Sequence, residues 1–329
     1  MSNTQQRQQR LLLEQLADGG FHSGQQLAKL LDVSRTAIWK QIETLRSNYH
    51  LDIHAVHGKG YRLADSLELL DAERIQRALS SRQQQMLGQL QLHVSVASTN
   101  SYLQTQLLQG VESGSVCLSE HQSSGRGRRG RGWVSPFGCN LYLSLYWRFE
   151  RSMADIAGVS LAAGVVLAGV LSADVANVTL KWPNDLLVDG RKIAGILVDV
   201  QGAADGPVDV VLGIGVNHHL PAHSAQQIDQ PWTDIVSQGA IPSSRNRLAA
   251  RLIGELLESM QLFEEDQLAP FMAQWRQYDH YLGRDVVLMH PHSKIRGTHR
   301  GVADDGSLLL EVDGRLCRFQ SGEVTLRGV

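Results

Sequence analysis

At 329 residues the chain is longer than one ordinary domain and has room for two or three, each burying its own core. A formal charge of -2 excludes a protein that coats nucleic acid through bulk charge, and the signs are unevenly spread: residues 1–63 hold eight Lys or Arg against five Asp or Glu, the remainder 23 against 28. Any nucleic-acid surface therefore belongs near the N-terminus.

In chain order, the opening MSNTQQRQQR is polar and lacks the apolar run of a secretory signal. Three scattered cysteines, Cys117, Cys139 and Cys317, suggest neither a disulfide framework nor a C-x-x-C zinc site, so the expected setting is a reducing cytoplasm. Apolar residues recur helically from Arg7 to Ala17 until Asp18-Gly19-Gly20 stops them. Ser23-Gly24-Gln25-Gln26 reads as a capping box opening a second helix through Leu31. Ser34 caps a third, in which Ile38, Ile42 and Leu45 share one face while Arg35, Thr36, Trp39 and Lys40 point elsewhere. Leu51, Ile53 and Ala55 alternate, and His57-Gly58-Lys59-Gly60 turns the chain back into Tyr61-Arg62-Leu63. This predicts a winged helix-turn-helix over residues 1–65, with its third helix and the Lys59 wing facing DNA.

Ala64 to Leu70 carries no strong pattern and is the expected linker, followed by a helix capped by Asp71. Alternation marks strands at Leu90 to Val96 and Leu141 to Trp147, then at Val178 to Leu180, Ile193 to Val200 and Val208 to Val216, with an Asp189-Gly190 hairpin turn. Helices are expected at Ser101–Leu108, Ala154–Ala173 and Arg247–Phe263. Ile156–Ala173 is uncharged and touches the lower limit for a membrane span. Its three glycines, its many alanines and the missing basic flank favour a helix buried on nearly all sides. The mixture predicts an α+β sheet covered by helices over residues 66–278. After Tyr278, short strands separated by Asp304-Asp305-Gly306, Asp313-Gly314 and Ser321-Gly322 predict a small antiparallel barrel over residues 279–329.

Two segments carry chemistry. Ser124-Gly125-Arg126-Gly127-Arg128-Arg129-Gly130-Arg131-Gly132-Trp133 interleaves four arginines with glycines. It reads either as a solvated basic loop or as one whose guanidinium forks grip carboxylate and phosphate oxygens while the glycines allow close approach. Lys181-Trp182-Pro183-Asn184-Asp185-Leu186 is followed by Gly190-Arg191-Lys192-Ile193, so two of only six lysines fall within twelve residues. A lysine on a strand can sit between a carboxylate and a phosphate, or simply lie on an exposed sheet face.

Together these segments resemble those of the bacterial family of bifunctional biotin-protein ligases and biotin-operon repressors. The resemblance runs over essentially the whole chain, from Phe21-His22-Ser23-Gly24 to Gly322-Glu323-Val324. It implies a catalytic domain of the class II synthetase type, an SH3-like C-terminal barrel, biotin and ATP as substrates and magnesium as the phosphates' escort. It further implies a biotin carboxyl carrier protein and operator DNA as partners, and a ligand-promoted homodimer. By position it implies that Ser98, Thr99, Asn100 and Gln122 hold biotin, that the loop Gly125-Arg126-Gly127-Arg128 closes over it, and that Lys192 joins Arg126 and Arg128 at the reacting centre. Asn217 and Trp232 fall on the nucleotide side, with Asp185 a nucleotide or metal partner. Ser98 to Asn100 would serve equally as a helix cap, and Asn217 as a strand-end turn. A ligase with a non-regulatory N-terminal domain remains the alternative, and Ser34, Arg35, Thr36, Lys40 and Lys59 are the expected DNA contacts.

Overall fold

The structure, a computed structural model, describes residues 3–239, 244–290, 293–321 and 325–328. The Gly322 to Val324 segment that ends the family resemblance lies outside the described residues. Three helices, α1 (Asn3–Leu16), α2 (Gly24–Leu30) and α3 (Arg35–Tyr49), precede the hairpin β1 (Ile53–Val56) and β2 (Gly60–Leu63). The capping box at Ser23 and Gln26 forms, and Ser34 Oγ accepts from Ala37 N at 3.1 Å, satisfying an otherwise orphaned donor. The wing packs close: a Cβ on Gly60 would lie 2.0 Å from His22 O, and the Gly60 φ of +105° suits only glycine. His22 and Tyr61 exchange backbone hydrogen bonds there, tying the wing to the entry of α2.

The linker is fastened rather than free. Arg10 reaches Leu70 O at 2.6 Å, and Leu70 N donates to the buried Glu120 carboxylate at 2.6 Å. Arg245 pairs with that same carboxylate at 2.8 Å, with both side chains almost wholly buried, and also donates to Glu68 O. Tyr49 stacks on Phe137 at 4.8 Å between ring centroids, so the small core of the winged domain continues onto the next one.

The large middle region adds α4 (Ala72–Arg77), α5 (Ser81–Met86), β3 (Leu90–His93), α6 (Thr99–Leu107), β4 (Val116–Ser119) and β5 (Leu141–Phe149). These are followed by α7 (Val159–Leu171), β6 (Val178–Lys181), β7 (Asp185–Val188), β8 (Arg191–Gly202) and β9 (Val208–Val216), then α8 (Ala222–Ala225), α9 (Arg245–Asp266) and α10 (Met272–Tyr278). Seven strands form one sheet in the order β3-β4-β5-β9-β8-β7-β6, parallel only at β3–β4. This is the mixed α+β architecture expected from the sequence. The uncharged stretch is α7, apolar on nearly all sides because it lies between the sheet and α9. It starts at Val159, not Ala154, since Gly158 takes a left-handed conformation. No helix among the described residues is long and apolar enough to cross a membrane.

The C-terminal strands β10 (Asp285–Met289), β11 (Lys294–Val302), β12 (Leu308–Val312), β13 (Arg315–Phe319) and β14 (Thr325–Gly328) form an antiparallel sheet ordered β13-β12-β11-β10-β14. A register shift between His299 and Val302 gives β11 the irregularity that a small curled sheet requires. Among the described residues the outer strands β13 and β14 do not pair with each other.

Candidate functional site

Two cavities share one wall. The first, a narrow cavity of about 50 Å³, is lined by Ser98, Thr99, Asn100, Gln122, Arg126, Trp133 and the inward faces of β8 and β9. Its floor depends on missing side chains: a Cβ on Gly213 would lie 2.0 Å from Asn100 Oδ1, and one on Gly215 2.4 Å from the Trp133 ring. Its polar wall is a connected network. Thr99 N donates to Gln122 Oε1 at 2.9 Å, Gln122 Nε2 to Ser135 Oγ at 3.1 Å, and Asn100 Nδ2 to Asp199 Oδ2 at 2.9 Å. Ser144 Oγ lies 2.5 Å from Asn100 Oδ1 and 2.7 Å from Thr99 Oγ1. Ser98 occupies the N-cap of α6 without its side chain making the capping bond. The Trp133 indole N–H is buried with no acceptor, an unmet donor on a cavity wall.

The second cavity is larger and basic. Arg128, Arg129, Arg131, Lys181, Lys192 and Arg327 line it against Asp185 and Asp229. Burial lowers the Lys181 pKa; Asp185 opposes that shift, while Lys192, Arg327 and Arg131 reinforce it. The Arg128 pKa is likewise lowered by burial, with Asp185 opposing and Arg129 and Arg131 adding to the shift. Crowded cations of this kind are relieved by a multiply charged anion.

Gly127, Arg128, Trp133, Asn184 and Lys192 line both cavities and mark their junction. Lys192 Nζ stands 2.5 Å from Asp185 Oδ1 and 5.4 Å from the centre of the Trp133 ring, and its side chain is only 16% exposed. It is therefore not a lysine on a solvated sheet face. The arginine loop is anchored through three of its arginines. Arg126 reaches Asp199 Oδ1 at 3.1 Å, Arg128 reaches Asn184 Oδ1 at 3.0 Å and Ser321 O, and Arg129 reaches Thr325 Oγ1 at 3.0 Å. It thus bridges the central sheet and the C-terminal domain.

The residues expected on the nucleotide side separate. Asp185 lines the basic cavity, but its carboxylate is held by Lys192 and, at 3.9 Å, by Lys181. Asn217 is buried behind the cavities, donating from Nδ2 to Thr233 O at 3.1 Å. It holds the 232–235 segment against β8 instead of ending a strand in solvent. Trp232 bridges Lys192 through its backbone while its side chain lines a separate shallow hollow with His219, Leu220 and Gln226.

Sequence reasoning passed over Ser144, Asp199, Arg327 and the roles of Gly213 and Gly215. Alternate glycines inside a strand signal a close approach, so Gly213-Ile214-Gly215 could have revealed the cavity floor. Nothing local marks Arg327, which arrives from the last strand.

In the winged domain Arg35, Thr36 and Lys40 are exposed on α3, and Lys59 is exposed on the wing. Phe21 lies under Lys59 Nζ and the Arg62 guanidinium, 5.6 and 5.0 Å from its ring centre, and braces the basic wing.

A model described as the Biotin/lipoate A/B protein ligase family matches residues 93–217, and one described as an HTH domain matches residues 7–62. The chain is 43% identical over 317 residues to the bifunctional ligase/repressor BirA of Salmonella typhimurium and 41% identical to that of Escherichia coli, covering 96% of each chain in both cases. Its fold is similar to that of a biotin protein ligase from Aquifex aeolicus solved in complex with biotin and ATP, with a TM-score of 0.62 and 25% identity over 73% of this chain and 99% of the other. With two joined cavities behind an arginine loop, a winged helix-turn-helix ahead of them and likeness of this extent, the chain belongs to the family of bifunctional biotin-protein ligases and repressors.

Proposed function

We propose that this chain activates biotin with ATP and transfers it to a lysine of a biotin carboxyl carrier protein. Loaded with biotinyl-5'-AMP, it represses biotin-synthesis genes as a homodimer on operator DNA, in the cytoplasm. The observation that carries the ligase reading is the junction: a narrow cavity with a polar network adjoins a basic cavity, and Lys192 and Arg128 line both. Ser98, Thr99, Asn100 and Gln122 offer the hydroxyl and amide groups that a ureido ring needs, and Gly125 and Gly127 let the loop backbone approach. We divide the chain into residues 1–65, 66–278 and 279–329, with the first two fastened at Glu120.

A carboxylate oxygen of biotin bonds to the α-phosphorus, the bond from that phosphorus to its bridging oxygen breaks, and pyrophosphate leaves with the electron pair. The amine of the carrier lysine then attacks the acyl carbon, AMP departs, and the nitrogen loses a proton. Both reactants of the first step are anions, so mutual repulsion and the entropy of alignment dominate the barrier. Arg126, Arg128 and Lys192 reduce the first, and the cavity walls reduce the second. Magnesium would enter with the nucleotide, held chiefly by its phosphates, and would supply charge screening there. The Asp185 carboxylate is engaged by lysines, and the described residues hold no cluster of three or more ligating side chains. Adenine stacking on Trp232 requires that indole to turn toward the basic cavity from its present hollow.

The test is incubation with ATP, magnesium, labelled biotin and a carrier domain; amide-linked label survives acid and hydroxylamine, and label lost to either overturns the transfer step. For the DNA arm, Lys59→Ala should weaken binding to specific and random duplexes alike and reduce the salt slope by about one phosphate contact. An unchanged slope would remove the wing from the backbone.

A further inference from the structure

Six tryptophans occur in the chain, all of them among the described residues, and five are buried or half-buried. Trp39 is the exception, 52% exposed on α3. Single exposed apolar residues are ordinary, and Leu30, Leu108 and Leu316 are at least as exposed, but Trp39 sets a flat indole among exposed cations on the third helix of a helix-turn-helix. That setting identifies the chemistry of the molecule that would cover it. Trp39 and Lys40 each lie one helical turn beyond Thr36 on the exposed side, and Arg35 flanks them. Glu43 continues the stripe, but its carboxylate is paired with Arg46, so the face presented with Trp39 is positive. The buried side of the helix is Ile38, Ile42, Leu45 and Tyr49.

We propose that Trp39 is a specificity-determining DNA contact, packing its indole against the 5-methyl group of a thymine in the major groove between the polar contacts of Thr36 and Lys40. This rests on the reading of the winged domain as a DNA-binding module. In the major groove the thymine methyl is the apolar feature of the base edges, while Arg, Lys and Thr supply the hydrogen bonds that read the remaining positions. The indole is too large to lie among phosphates without leaving most of its face wet, whereas a methyl-bearing groove floor covers it. A second copy of this chain is the competing occupant, and it lacks a reason to prefer a face flanked by Arg35 and Lys40.

The experiment uses the full-length protein with biotin and ATP. Wild-type protein selects duplexes from a randomised pool, and each thymine of the selected site is then replaced in turn by uracil, which lacks only the methyl group. Wild-type binding should fall about fivefold at one or more thymines. Trp39→Ala should bind the parent duplex about fivefold to tenfold more weakly and be indifferent to uracil at those same positions, while biotinylating the carrier normally. Trp39→Phe should lie between the two. A wild-type uracil profile in Trp39→Ala, at any affinity, overturns the proposal. So does a loss of adenylate-promoted dimerisation in sedimentation with base preference unchanged, which would assign the face to a second copy. If the wild-type protein enriches no duplex yet still biotinylates the carrier, the DNA-binding reading fails and Trp39 falls with it, while the ligase reading stands.

Discussion

Replacement of Lys192 separates chemistry from stability. Its ammonium stands where the two cavities meet, 2.5 Å from Asp185, and both side chains are about one-sixth exposed. Two unit charges 4 Å apart at an effective dielectric near 20 interact by about 4 kcal/mol, of which the part realised only as negative charge gathers on the oxygens around the reacting phosphorus is about 3 kcal/mol. That corresponds to roughly two orders of magnitude in rate. The stability cost is smaller. Removing one member of a buried ion pair costs about 3–5 kcal/mol when the other is left uncompensated, but Asp185 retains Lys181 at 3.9 Å, and a loss of about 1–2 kcal/mol is expected. Lys192→Met keeps an apolar stem beside Trp133 and should match Lys192→Ala in rate while losing less stability. Biotin-dependent exchange of pyrophosphate into ATP reads the first effect and thermal unfolding the second. An exchange rate in Lys192→Met within threefold of wild type would remove the ammonium from the reacting centre.

Gly213→Ala places a methyl 2.0 Å from Asn100 Oδ1, and displacing that amide breaks its bond to Asp199; biotin affinity by calorimetry should fall at least tenfold with the fold intact, and unchanged affinity would show that the floor yields. Burial raises the Glu68 pKa, but hydrogen bonds from Asn246, the Arg245 amide and Ser244, with the Arg245 charge, outweigh it and leave the carboxyl below its ordinary value. Its stabilising contribution is therefore present above about pH 4.5 and is lost as pH falls through the lower folded value, so Glu68→Gln should flatten the acid limb of thermal unfolding; parallel limbs would refute this. Asp199→Asn weakens the hold on Arg126 and should speed proteolysis within residues 125–132 of the free protein but not with biotin and ATP bound; equal rates in both states would show that Asp199 does not anchor the loop.

What the sequence made legible was what local physics dictates. Serines before apolar helical periods announced the caps of α2 and α3, and the alternation of Leu141 to Trp147 announced a central strand. The short strand β4 stayed hidden because Val116 to Ser119 is buried throughout, so nothing alternates. Among site residues, the clustered arginines and scarce lysines stood out through composition. Asp199, Ser144 and Arg327 did not, because each gains its role only when β8, β5 and β14 converge from distant parts of the chain. Trp232 shows the converse. The resemblance puts it on the nucleotide side, while the fold pairs its backbone with Lys192 and makes the residue part of the hollow lined by His219 and Gln226, neither of which any local pattern marks.

The fastened linker bears on how an adenylate could reach DNA. Glu120, which holds Leu70 N and Arg245, lies two residues before Gln122, which holds Thr99 at the cavity wall. One extension beyond β4 therefore carries both the wall of the small cavity and the post to which the winged domain is tied. Arg10, on the first helix of that domain, touches the same post through Leu70 O. A winged domain swinging on a free tether would reach a second half-site only at an effective concentration set by the tether's length and would lose orientational entropy on binding. A docked domain has already lost most of that freedom on folding. In the dimer proposed above, two docked wings would stand at a spacing fixed by the ligase domains, so the free energy of operator binding would depend on whether the dimer forms and little on how flexibly its wings are held. This makes the ligand's influence on DNA a consequence of assembly, with the Glu120–Arg245 pair keeping the geometry that assembly then exploits.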